Sequence, residues 1–413
     1  MFTIKGKYTN AQIMIDNIEP DCLGQIVLMV NNEAFTKPIS IMPDTHSGKG
    51  SVIGFTMEMG DKIIPNIVGV DIGCGMLSCD VGLFGEQVNY NPTILDRQIR
   101  ERVPFGFNVH KDKVSSYLIG YTDIRDLCKR IGMDADYAMN SIGTLGGGNH
   151  FIEIGKSEKT GNLWVTVHTG SRNLGKKVCE YWQKVAVERI SESKGETFEQ
   201  GMSRIKATFP KSEWNKRLSM LKAEINSRKP VITGLESLEG EDREGYLKDM
   251  IVCQQFAKMN RYAIMKEILG CMGVKTARKT IETVHNYINF ADNIIRKGAI
   301  SSYEGIEMII PLNPRDGILL CMGKSNPDWN YSAPHGAGRV LSRSKAKEMV
   351  DLEAFKETMK GVFSTSVGKE TLDESPFAYK DSKMIEEAIQ PTADIVDRIV
   401  PLHNLKDSEG ERE

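Results

Sequence analysis

Residues 143–175 read GTLGGGNHFIEIGKSEKTGNLWVTVHTGSRNLG. A glycine-rich loop opens the stretch, and two short runs rich in apolar and β-branched residues follow at 151–154 and 163–168. A polar turn separates them, which predicts two strands. After Leu174 the text changes character. From there to about residue 272 it carries long amphipathic stretches, and in 244–270 Met250, Ile251, Phe256, Ala257, Tyr262, Ala263, Met265, Ile268 and Leu269 recur at roughly helical spacing. Upstream, residues 1–90 are rich in Gly, Val and Ile broken by turn signals, so short strands and loops are expected. Helices are predicted at 92–101, with Pro92 in the first turn, and at 134–142. Strand-like text returns at 306–322, followed by a polar loop and a helix over about 339–350. Strands and helices mix without a regular βαβ rhythm, so the fold class is α+β. Residues 175–280 are expected to form a helical insertion whose Met and aromatic side chains pack a core. The charged end, 407–413, is expected to be disordered.

Bulk properties exclude several classes. The chain has 413 residues, 40% of them hydrophobic and 26% charged, with net charge −2 and pI near 6.4. Such a chain is no polycation, and any nucleic-acid binding must come from local patches. No apolar run approaches the ~20 residues that span a bilayer, and MFTIKGKYTN lacks a signal-peptide core. No membrane association and a cytoplasmic location are expected. The eight cysteines are scattered without a CxxC pair, which suggests reduced thiols.

Four of the seven histidines lie in glycine- or serine-rich loop text: His46 in PDTHSGKG, His150 in GGGNHFIE, His168 in VHTGSR and His335 in SAPHGAGR. A histidine kept for packing would more often sit in an apolar periodic stretch. VGVDIGCGM adds Asp71 and Cys74, read as the end of an apolar strand, where glycine freedom lets both side chains aim at one point. A thiolate and a carboxylate beside imidazoles form a plausible metal site, and a thiolate can bridge two cations. Residue types alone do not name the metal. The loop before Asn149 and His150 lets a phosphate approach backbone N–H groups, and Glu153 could accept from a guanine edge. Arg339, Arg343 and Lys347 fall at i, i+4 and i+8, one basic stripe if a helix begins beside His335. His110 and His403 carry no assignment beyond structural or surface roles.

MPDTHSGKG (42–50), VGVDIGCGM (68–76), GTLGGGNHFIEI (143–154), VHTGSRNLG (167–175), the His285 segment and SAPHGAGRVLSRSKAK (332–347) together resemble the RtcB family of RNA-splicing and repair ligases. The resemblance implies one large α+β domain over 1–413 with central β-sheets, two Mn²⁺ ions and a GTP site. It implies Asp71, Cys74, His150, His168 and His285 as metal ligands, with Cys74 bridging, and His335 as the nucleophile that takes guanylate. Asn149, His150, Phe151, Glu153, His285, Asn286, Gly336, Ala337, Gly338 and Lys406 would contact the nucleotide. His46, Lys49, Arg172, Arg339 and Arg343 would hold RNA phosphates or pyrophosphate. The implied partners are a broken tRNA or other structured RNA with a 3′-phosphate or 2′,3′-cyclic phosphate facing a 5′-hydroxyl, and an archease-like activator.

Two departures from the family pattern touch the nucleotide pocket. Leu312, Asn313, Pro314 and Arg315 replace a Gly-Ser-Met-Gly-like run, and Ile318 stands where a nucleotide-contacting serine is expected. They keep open a metal-dependent RNA end-processing phosphodiesterase that forms no adduct. A non-catalytic RNA-binding repair factor is the third reading, and it needs none of the ligand set.

Overall fold

Alternating hydrophobicity gathers most of the strand text into two sheets, and the site forms where they meet. A computed structural model describes residues 1–83, 85, 88, 90–111, 121–192, 198–227 and 231–408. The larger sheet runs, in spatial order, Glu307–Asn313, Gly317–Gly323, Ala393–Leu405, Phe151–Ser157, Asn162–Thr169, Gly75–Leu83 and Lys279–Val284. Every neighbouring pair is antiparallel. Its outer strands curl back toward each other until Ile309 N donates to Thr283 Oγ1 at 3.3 Å. The smaller sheet runs Phe2–Lys5, Asn10–Ile13, Ile39–His46, Ile53–Glu58, Ile294–Lys297 and Asn286–Asn289, with one parallel pair, Asn10–Ile13 beside Ile39–His46. Only His285 separates the edge strand Lys279–Val284 of the larger sheet from the edge strand Asn286–Asn289 of the smaller. The fold is α+β, as the sequence predicts.

The two strands read from 143–175 are Phe151–Ser157 and Asn162–Thr169, with Phe151 opposite His168. Every residue of Asn162–Thr169 is buried: the 32-residue helix Gly240–Cys271 covers one face, and on the other Trp164 packs with Met76, Ile309 and Ile399. Ile264, Met265 and Ile268 of that helix share an apolar cluster with Val165 and Val167. Each such side chain contributes about 1.5–3 kcal/mol by leaving water. The predicted helix at 92–101 is Pro92–Arg102, opened by Asn91, whose side chain accepts from Ile94 N at 3.1 Å.

Elsewhere the structure corrects the expectations. Residues 1–90 also contain a helix, Pro20–Val30, which buries Cys22, Ile26, Met29 and Val30 at three- to four-residue spacing. The turn holding Asp71 and Cys74 precedes its strand, Gly75–Leu83, because Pro65 breaks the upstream apolar run into a short 3₁₀ turn. The run 306–322 is a hairpin, turned where Asn313 Oδ1 accepts from Arg315 N and Asp316 N. The helix expected over 339–350 spans only Arg343–Met349, because Ser342 caps it by accepting from Lys345 N and Gly338 takes φ +74°. Of the charged tail, residues 409–413 lie outside the described residues.

Candidate active site

The five side chains expected to bind metal converge. Cys74 Sγ lies 3.6 Å from His150 Nε2 and 3.4 Å from His168 Nε2. His168 Nε2 is 3.3 Å from His285 Nε2, and His150 Nε2 is 3.0 Å from Asp71 Oδ2. Two groups result, Cys74–His168–His285 and Asp71–Cys74–His150, each with its ligand atoms within 4.8 Å of one another. Cys74 belongs to both. Gly73 makes the turn possible at φ +76°, and a Cβ there would come within 2.9 Å of Gln254 Cα. His285 is tied in by its backbone N, which donates to Cys74 O at 2.9 Å.

Hydrogen bonds fix the rings. His150 Nδ1 donates to Leu145 O at 3.0 Å and His168 Nδ1 to Asn149 O at 3.1 Å, which turns each Nε2 toward the cluster. Burial pushes His168 and His285 well below the usual imidazole range, so both stay neutral. Burial, reinforced by the Asp71 charge, pushes the Cys74 thiol well up. Burial would raise Asp71 too, but its contacts with His150 prevail and hold it below the ordinary carboxylate range. A group of three imidazoles, one carboxylate and a thiol that ionises only beside positive charge suits a divalent cation. These residues fit a metal site.

His335 stands next to this cluster, its ring centroid 4.7 Å from that of His285. It follows the strand Ser332–Pro334, which pairs with Ala299–Ser301. Its Nδ1 donates to Asp44 Oδ2 at 2.6 Å, and the backbone N–H groups of His335 and Gly336 reach the same oxygen at 3.2 Å. Asp44 is fully buried. The contact engages Nδ1 and leaves Nε2 on the opposite side of the ring from Asp44. Sequence reading missed Asp44, although it stands in the quoted PDTH two residues before His46. His46 Nδ1 instead bonds Asp44 O at 2.9 Å.

A second cluster meets the first at Phe151, whose ring packs edge-on against His168 at 5.3 Å and lies under Lys406 Nζ at 5.6 Å. Buried Glu153 accepts from Asn404 Nδ2 at 3.1 Å, while its Oε1 has no partner; burial raises its carboxyl to about 8. Lys406 Nζ is 2.7 Å from Glu374 Oε2. Glu374 also takes Tyr379 OH at 2.7 Å, and the guanidinium groups of Arg339 and Arg343 at 3.2 Å each. Burial would raise Glu374, but the Lys406, Arg343 and Arg339 charges bring it to about 2. The predicted basic stripe is thereby corrected. Arg339 lies before the helix, bridged to Tyr379, and both arginines turn onto Asp373 and Glu374. Neither acid stood out in the sequence.

The remaining predicted residues take various places. Arg172 donates to Thr144 Oγ1 at 3.1 Å and Gly106 O at 2.7 Å, beneath the glycine-rich loop. Lys49 is exposed, and its carbonyl accepts from Lys297 Nζ at 2.8 Å. Asn149 is exposed. Asn286 bridges Asp71 O at 3.2 Å and Gly298 N at 2.9 Å. Gly336, Ala337 and Gly338 are buried behind His335. Ile318 faces an apolar cluster with Met76, Trp164 and Ile399, and Leu312 packs into another. Among the described residues no helix is long and apolar enough to cross a membrane.

Comparison with known proteins accords with this arrangement. A family model described as tRNA-splicing ligase RtcB matches residues 25–407. The chain is 30% identical over 421 aligned residues to the RNA-splicing ligase RtcB of Escherichia coli (strain K12), covering 94% of each. It is 25% identical over 446 residues to the tRNA-splicing ligase RtcB of Nanoarchaeum equitans (strain Kin4-M), covering 87% of this chain and 85% of the relative. The convergence of scattered donors on one centre and the length of these matches lead to one statement: this chain belongs to the RtcB family.

Proposed function

We propose that the chain is a GTP- and Mn²⁺-dependent RNA ligase that joins a 2′,3′-cyclic phosphate or 3′-phosphate end to a 5′-hydroxyl end, in tRNA splicing or RNA repair. The observation that carries the reading is His335, oriented by buried Asp44 and set 4.7 Å, ring to ring, from His285 of the donor cluster. Two Mn²⁺ ions held by Asp71, Cys74, His150, His168 and His285, sharing Cys74, would neutralise charge on the reacting phosphates. His335 Nε2 attacks the α-phosphorus of GTP, an N–P bond forms, a P–O bond breaks and pyrophosphate leaves. Asp44 holds the Nδ1 proton and stabilises the positive ring. A cyclic phosphate is first opened by water to a 3′-phosphate. An oxygen of that phosphate then takes the guanylate, breaking the N–P bond, and the 5′-hydroxyl of the second end attacks the activated phosphate and expels GMP.

Glu153, with an unpartnered buried oxygen, accepts from the guanine edge, while Phe151 and Lys406 form one wall of the base pocket. Asn149, Asn286, Gly336, Ala337 and Gly338 border the phosphates. RNA phosphates approach His46, Lys49 and Arg172. Arg339 and Arg343 are already paired with acids, so an anion must share them. An archease-like activator is the expected protein partner.

Intact mass after incubation with GTP and Mn²⁺ tests the reading. The expected outcome is one added guanylate, absent in His335→Ala. Metal-loaded protein that never gains guanylate would exclude a ligase and leave an end-processing phosphodiesterase.

A further inference from the structure

We propose that Asn260 and Arg261, adjacent residues of the helix Gly240–Cys271, are positioning residues that set the spacing of all five metal donors. The inference rests on reading the Cys74 cluster as a Mn²⁺ site. The guanidinium of Arg261 is fully buried. Its Nη1 donates to Gly73 O at 2.7 Å and Thr169 O at 3.1 Å. Its Nε and Nη2 reach Glu282 Oε1 at 3.2 and 3.0 Å. Gly73 immediately precedes Cys74, Thr169 immediately follows His168, and Glu282 lies on the strand that runs into His285. One rigid planar fork thus joins the three segments that carry Cys74, His168 and His285.

Asn260 does the same for the other donors. Its Oδ1 accepts from Gly143 N at 2.8 Å and Thr144 N at 3.2 Å. Its Nδ2 donates to Thr144 O and Gly170 O, both at 3.1 Å, and to Thr169 Oγ1 at 3.3 Å. Thr169 Oγ1 donates in turn to Leu145 O at 2.7 Å, the carbonyl that also fixes the His150 ring. Gly170 lies against Asp71, close enough that a Cβ there would meet Asp71 Oδ1 at 2.2 Å. A fully buried Arg and Asn are costly substitutes for apolar packing. Every contact they make leads to a donor-bearing segment or to Glu282, which pairs the charge. Outer contacts of this kind typically change metal affinity by roughly 10–100-fold when removed.

The test titrates the metal-free full chain with Mn²⁺, following free ion by electron paramagnetic resonance, and with Co²⁺, following thiolate-to-cobalt absorption. Arg261→Met, Arg261→Lys and Asn260→Leu are compared with wild type, and circular dichroism establishes folding. The expected result is Mn²⁺ binding weakened by about 10–100-fold and an altered Co²⁺ spectrum in each folded variant. Arg261→Lys keeps a charge for Glu282 but loses the fork, so it too is weakened; it carries the test with Asn260→Leu if Arg261→Met does not fold. Folded variants that lose thermal stability yet bind both ions and show the wild-type Co²⁺ spectrum overturn the proposal alone. A wild-type chain that binds neither ion overturns the metal reading and this proposal with it.

Discussion

The cluster around Cys74 and the cluster around Glu374 meet at Phe151, but they handle charge differently. The first gathers nitrogen, oxygen and sulfur donors, with His168 and His285 held neutral by burial. Its donor set suits a divalent cation. The second gathers Lys406, Arg339 and Arg343 around Glu374, a carboxylate already held near 2, with Asp373 beside Arg343, so most of its positive charge already meets acids within the chain. Basic residues beside a candidate nucleophile therefore do not by themselves mark an anion site. What matters is whether the fold has already supplied their counterions.

The largest way to break this contrast is Cys74→Ala. If the shared thiolate joins both donor groups, bound Mn²⁺ falls from two ions to none by elemental analysis of desalted protein; retention of either ion shows the groups to be independent. Next is Asp44→Asn, which keeps the shape but offers Nδ1 the wrong partner. Guanylate transfer to His335 should slow by about 10²–10⁴, by analogy with the tautomer effect in hydrolase triads. Mn²⁺ binding should hold, and a rate within a factor of about three of wild type would remove Asp44 from the chemistry.

Glu374→Gln probes the compensated cluster. The carboxyl drops from an ordinary 4.5 to about 2 on folding, so its stabilisation is present above pH 4.5 and fades as pH falls toward 2. At pH 7 the variant should lose roughly 3 kcal/mol, and the gap from wild type should close below pH 4.5 in denaturant melts. A gap that stays constant with pH would mean packing rather than charge. The smallest expected effect is Ser342→Ala, which removes the cap of Arg343–Met349 and should cost about 1 kcal/mol while leaving metal binding unchanged.

Asp71, Cys74, His150 and His168 are legible because they stand in or beside glycine-bearing turns, whereas His285, between two strands with no glycine near it, comes only from the family resemblance. Asp44 is not legible, since 291 residues separate it from His335 and no periodicity links the two. Glu374 sits in a short 3₁₀ stretch, Lys369–Glu374, which lacks the helical or alternating pattern that makes burial readable. The strand Ala393–Leu405 is hard to read for a related reason: its alternation is broken at Val396 and Leu402, which the pairing skips on either side. The helix expected over 339–350 is shorter in the fold because the Ser342 cap starts it at Arg343, a signal that the basic spacing of 339–347 masks. Asn260 and Arg261 were hidden among apolar neighbours, in a segment read as packing alone.

His285 is the one-residue link between edge strands of the two sheets. Lengthening the chain there by a single residue would invert which side chain faces the donor cluster. The neighbouring strand could not slide to compensate without breaking its pairing with Gly75–Leu83. That junction should therefore tolerate neither insertion nor deletion.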